Sequence, residues 1–286
     1  MSSGYDSLLN QIGDLAGDGH LRPDVQAASH EYAALPSDLS RCVAYVNDFA
    51  EGVVEDELRL IRSLLCQMIV AAYRDAKKND AEVARNFAFA FIRDFPGMSG
   101  SALLPRWSSL ADASFAFQMV AQSGNRLLVW QQSSRLVLAA NEFLDGLIGL
   151  LLVAWRCALG KAVNPKVLAN AYGSKVNEFA DLTGGDDGPF YLILRAADAD
   201  LRNGLAHGSA WLDPKEDKVR YFTGRQQKTE REIGLVEFMC KATIGSHMGP
   251  SYIAALATIA VWEGGSEESR AELPPLLTQL LTLDAV

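Results

Sequence analysis

Apolar residues recur at three- and four-residue spacing through most of this chain, and two-residue alternation is confined to one short place, so the pattern predicts an all-α fold. Ser37-Asp38 can cap a long helix running to about Lys77, with Leu58, Ile61, Leu65, Met68 and Ile69 as its buried stripe. A shorter helix follows from about Asp80 to Phe95, and Pro96-Gly97-Met98-Ser99-Gly100 reads as a linker. That linker divides an N-terminal helical region, 1–100, from a helical domain, 101–286. Beyond it, Leu110 to Ala121 and Asn125 to Leu159 read as helices. The second, with Leu136, Leu138, Leu144, Leu147, Leu151 and Trp155, is apolar nearly all round after Asp145, which suits a helix buried in a bundle or a dimer.

Pro165 can start a helix reaching about Leu182, stopped by Thr183-Gly184-Gly185-Asp186-Asp187-Gly188-Pro189. The next helix, Phe190 to His207, takes its cap from Asp186 or Asp187 and ends at Gly208. Ser209 to Leu212 and Lys218 to Thr223 read as two short strands around the turn Asp213-Pro214-Lys215-Glu216-Asp217. Helices from about Glu230 to Ile244 and from Ser251 to Trp262 complete the pattern. The tail from Ser266 is acidic and then leucine-rich, broken by Pro274-Pro275.

With 286 residues, the chain is long enough for one large domain or two modest ones without covalent staples. Cys42, Cys66, Cys157 and Cys240 lie far apart with no Cys-x-x-Cys spacing and read as buried, reduced thiols, which predicts a cytoplasmic protein. Met1 to Asp6 lack the basic start and apolar core of a secretory signal. The most apolar run, Gly146 to Trp155, is bracketed by Asp145 and Arg156 and falls short of the roughly 20 residues a membrane span needs. No membrane association is expected. A formal net charge of −9 argues against non-specific coating of nucleic acid but leaves room for a local basic site. Within the richest basic stretch, Arg220, Arg225 and Lys228 are candidate substrate-binding residues, although such a run is also the ordinary dress of a solvated face.

The distinctive chemistry lies in Leu201-Arg202-Asn203-Gly204-Leu205-Ala206-His207-Gly208. Arg202 and His207 are five apart, about 140° round a straight helix, so spacing alone does not bring them together. Asn203, four before His207, shares its face, and Gly208 ends the helix at the imidazole. A long arginine side chain can then swing toward the same pocket. Cation, amide and imidazole at one helix end make a credible phosphodiester site. The bland alternative is that Arg202 pairs with Asp198 and His207 merely caps its helix.

At these residues the sequence resembles the HEPN superfamily (higher eukaryotes and prokaryotes nucleotide-binding), whose ribonucleases carry Arg, a polar residue often Asn, three variable positions and His at a helix end. The order of elements from about Asn125 to Ile244 is similar too: long apolar helix, second helix, motif helix, glycine, short hairpin, further helix. The resemblance implies a helical bundle of HEPN-like type, a homodimer with a composite active site, an RNA substrate and metal-independent cleavage through the 2′-hydroxyl. It further implies a toxin or anti-phage effector with an antitoxin or other regulatory partner. His207 would be general acid or base, Arg202 would stabilise charge on the phosphorane, and Asn203 would orient His207 or the phosphate. Some members carry Tyr two residues after the histidine as a nucleotide acceptor; here Ser209 stands there. The alternative is a non-catalytic HEPN-like module that binds a nucleotide or a protein.

Other candidates are weak. His20, His30 and His247 have no Cys, Asp or Glu at metal-ligand spacing, so no metal and no cofactor are assigned. Glu142 and Asp145 lie on the buried helix near the expected cleft, where network carboxylates are more common than catalytic ones.

Overall fold

The computed structural model describes residues 4–21, 31–51, 56–224 and 229–283. It is mostly helical, with one small antiparallel sheet, as the spacing of apolar residues predicts. The chain divides into two compact units: Met1–Ala102, Leu150–Pro165 and Gly249–Val286 form one, Leu103–Gly149 and Lys166–Met248 the other.

In the first unit, helix Asp6–Gly17 buries Leu8, Leu9, Ile12 and Ala16, and helix Asp38–Glu51 buries Cys42, Val43, Val46 and Phe49. The expected single helix from Ser37 to Lys77 is two, Asp38–Glu51 and Asp56–Asn79. Gly52, Val53 and Val54, poor helix formers, fall between them in the sequence. Asp80 caps helix Ala81–Phe89, its carboxylate accepting from the N–H groups of Glu82 and Val83 at 2.9 and 3.1 Å. That helix ends six residues sooner than its apolar pattern suggests, because Phe91 and Phe95 are buried from turns instead. The Asn79 side-chain amide donates to the carbonyls of Cys157 and Ala158, satisfying orphan acceptors at the end of the long helix.

The second unit carries the motif. Helix Arg126–Ala158 belongs to it as far as Gly149. By length and composition this helix could cross a membrane, but 72% of its most apolar window is buried within the fold, as expected of a core helix. Pro165 begins only a 3₁₀ turn, Pro165–Ala169, and the α-helix starts afresh at Tyr172–Thr183 after Ala171 takes an extended conformation. The expected helix from Phe190 to His207 is likewise two, Tyr191–Ala196 and the motif helix Ala199–Ala206. Its break falls at Ala197-Asp198.

The hairpin is present as β1, Ala210–Asp213, and β2, Lys218–Thr223, in antiparallel register with Ala210 opposite Tyr221 and Asp213 opposite Lys218. Asp213 holds the turn by accepting from the Lys215 N–H at 3.0 Å. A third strand, β3, Thr229–Gly234, lies where a helix start is expected, and pairs with β2. Its pattern offers little warning, since only Ile233 is buried. The helix begins at Leu235 and runs to Gly264 through Pro250, merging the two expected there. β2 alternates properly, with Val219, Tyr221 and Thr223 buried.

Three of the four cysteines are buried as expected, but Cys240 is exposed: its place on helix Leu235–Gly264 turns it outward, unlike its buried neighbours Phe238 and Ala242.

Candidate active site

The motif helix is fixed at its start by groups scattered widely through the sequence. Asp198 is its N-cap and accepts from the Leu201 N–H at 2.9 Å. The backbone N–H of Asp198 donates to Oδ1 of Asn141 at 2.7 Å, and the same oxygen accepts from the Tyr172 hydroxyl at 2.8 Å. Asn141 is buried on the long helix and donates in turn to the carbonyl of Val137. Lys241, also buried, donates to the carbonyl of Arg195 at 2.8 Å and stands 3.6 Å from the Asp198 carboxylate. One helix terminus is thereby closed and the next begun.

Two glycines of the motif have separate steric tasks. A Cβ on Gly204 would stand 2.8 Å from that of Tyr221, so glycine lets the motif helix lie directly against β2. Gly208, at φ +63°, lets the chain reverse. The Gly208 N–H bonds to the carbonyl of Leu205 at 3.1 Å, and that of Ser209 to Gly204 at 2.8 Å, the pair of bonds that defines a Schellman turn. His207 is the C-cap of this turn and is exposed. Its backbone N–H bonds to the carbonyl of Asn203, and among the described residues no side chain bonds to its imidazole.

Arg202 does not pair with Asp198. Its Nε donates to Glu142 at 2.8 Å, Nη2 lies 2.6 Å from the same carboxylate oxygen, and Nη1 donates to Oδ1 of Asn203 at 3.0 Å. Three of its five N–H groups are engaged, leaving two for another ligand. Asn203 therefore braces Arg202, and its link to His207 is through the backbone. Asp145, one turn along from Glu142, pairs with the buried Lys175 and with Arg106 at 3.3 Å. Both carboxylates belong to ion-pair networks of the long helix.

Arg220 points into a ring of carboxylates: Glu216 at 2.8 Å, Glu230 at 2.9 Å, Asp213 at 3.4 Å and Glu232 at 3.7 Å. An incoming phosphate would meet that negative charge first. Arg225 and Lys228 lie outside the described residues, as does His30. Among the described residues, no three or more His, Cys, Asp or Glu side chains gather closely enough to hold a metal ion.

Burial pushes the hydroxyl of Tyr172 well above its ordinary pKa, with Asp145 and Asp198 adding to the effect. Burial likewise pushes Tyr221 up to about 12, reinforced by Asp198 and Asp200. For these acids, a raised value in the folded state means stability that is fully present below pH 10.0, their ordinary value, and lost as pH rises through the folded value. The thermal unfolding midpoint should therefore fall as pH rises from 10.0 toward about 12, and Tyr221→Phe should make that fall shallower. Identical slopes for the two proteins, followed by circular dichroism, would remove Tyr221 from the linkage.

Sequence reasoning missed Asn141 and Lys241, the residues that position the motif helix. A buried asparagine in an otherwise apolar helix is the signal that was available, because such an amide needs partners. No protein-family model, curated protein or solved structure matches this chain.

Proposed function

We propose that the protein is a HEPN-like, metal-independent endoribonuclease that cleaves RNA through the ribose 2′-hydroxyl and acts as a homodimer with a composite site. The observation that carries this reading is an exposed imidazole, His207, with no side-chain partner among the described residues, held at a helix end one turn beyond a partly exposed guanidinium. His207 accepts the 2′-hydroxyl proton or supplies one to the leaving oxygen. Two N–H groups remain on Arg202 for the phosphate oxygens, where negative charge grows in the phosphorane. Asn203 and Glu142 hold that guanidinium in place. The nucleophile is internal to the RNA, so the expected products are a 2′,3′-cyclic phosphate and a 5′-hydroxyl, and DNA is not cut.

The biological setting that fits is a toxin or anti-phage effector in the cytoplasm, restrained by an antitoxin or another regulatory partner. Expression of the wild type and of His207→Ala at equal levels tests it. RNA breakdown or growth arrest with the first and neither with the second supports the proposal; harmlessness of both, with RNA left intact by the purified wild type, defeats it.

One observation favours the second reading, a non-catalytic HEPN-like binding module. Glu142 already neutralises Arg202 within one protomer, as in a structural ion pair. That reading expects thermal stabilisation by a nucleotide without turnover.

A further inference from the structure

Beside the motif lies a cavity of about 390 Å³. One wall is the first third of the long helix, from Trp130 to Arg135, and the other is Leu205 and Ala210, which bracket His207 in the chain. The two helices run past one another in opposite senses: Asp198 meets Asn141 at one end, and Leu205 shares the cavity with Ser134 and Arg135 at the other. The cavity thus lies toward the histidine end of the motif, walled by the residues on either side of His207 in the chain and not by His207 itself.

Its chemistry is unfinished. Gln132 Oε1 and Ser134 Oγ are buried and have no hydrogen-bond partner in the protein, although both residues line the cavity. Buried polar atoms without partners are uncommon in native folds and call for an explanation such as a bridging water or ion. Arg135 is exposed and, among the described residues, has no carboxylate within ion-pair distance, in contrast to Arg202 and Arg220. Trp130 is propped by Phe238, ring centroids 5.2 Å apart. A free cation, an amide, a hydroxyl and an indole are the groups that take a phosphate, the polar edge of a base or ribose, and a base face.

We propose that this cavity is a subsite for one nucleotide of single-stranded RNA flanking the bond on which His207 acts, with Arg135 binding its phosphate and Gln132 and Ser134 reaching its base or ribose through bridging water. The proposal rests on the ribonuclease reading, but its binding arm does not require cleavage. The probe is a short, fluorescein-labelled, 2′-O-methylated oligoribonucleotide, which has no free 2′-hydroxyl to attack with. Its binding is read by fluorescence anisotropy over a range of salt concentrations. Arg135→Ala weakens binding roughly tenfold and lowers the slope of log K against log salt by about 0.7. Lys161→Ala, an equal change of charge at an exposed position outside the cavity, does neither. Equal binding by Arg135→Ala and Lys161→Ala, or no binding by the wild type, overturns the subsite. If the wild type cleaves RNA while Arg135→Ala binds the probe normally, the subsite falls and the ribonuclease reading stands. If RNA stays intact yet probe binding depends on Arg135, the reverse holds.

Discussion

On the proposed ribonuclease reading, replacing His207 with alanine should lower RNA cleavage by about 10²–10⁴, the usual worth of a positioned general acid or base, and leave the fold intact. Stability should change by no more than about 0.5 kcal/mol, because the side chain is exposed and the Schellman turn is made by backbone groups and Gly208. The two readouts together separate a chemical role from a structural one. Arg202→Lys sharpens the comparison. Lysine keeps the positive charge but cannot reproduce the joint Nε and Nη2 approach to Glu142 or the Nη1 bond to Asn203, so activity falls while net charge does not. A His207→Ala protein that cleaves RNA at the parental rate would strip the residue of any catalytic part.

The second large effect concerns stability. Asn141→Leu is nearly isosteric but leaves the Tyr172 hydroxyl and the Asp198 N–H without their shared acceptor inside the fold. Each stranded buried group costs about 1–3 kcal/mol, so a loss of about 2–6 kcal/mol is expected, lowering the melting temperature by roughly 5–20 °C. The same change loosens the start of the motif helix, whose N-cap backbone Asn141 holds. Any activity should therefore drop even at temperatures where the protein remains folded. Denaturant titration and cleavage assays on one preparation measure both. Should stability fall without any effect on cleavage, Asn141 would be a core residue with no positioning role.

Much of the helical architecture was legible because it follows from apolar spacing, and the long helix Arg126–Ala158 lies within a residue of its expected bounds. The end of the motif helix was legible for a local reason: Gly208 is suited to a left-handed turn, and the chain uses it there. Breaks imposed by distant partners were not legible. The break at Ala197-Asp198 carries only a small local mark, an aspartate of the type that caps helices, and the stop is held by Asn141 and Lys241, remote in sequence. β3 was hidden for the opposite reason. Thr229, Glu230, Arg231 and Glu232 are all exposed, and their place in the sheet rests on backbone pairing and on cross-strand ion pairs such as Lys218 with Glu232 at 2.6 Å. The same pairing explains why Arg220 looked freer in the sequence than it is in the fold. Of the motif residues, the exposure of His207 follows from its place at the helix end, whereas the Arg202 to Glu142 pair depends on the packing of two helices and could not be read from spacing.

The most direct test is an end-group analysis of RNA incubated with the purified protein and a chelator, beside the His207→Ala variant. The account predicts 2′,3′-cyclic phosphate and 5′-hydroxyl termini with the parent and uncut RNA with the variant. Intact RNA in both reactions, or fragments bearing 3′-hydroxyl and 5′-phosphate ends, would contradict it.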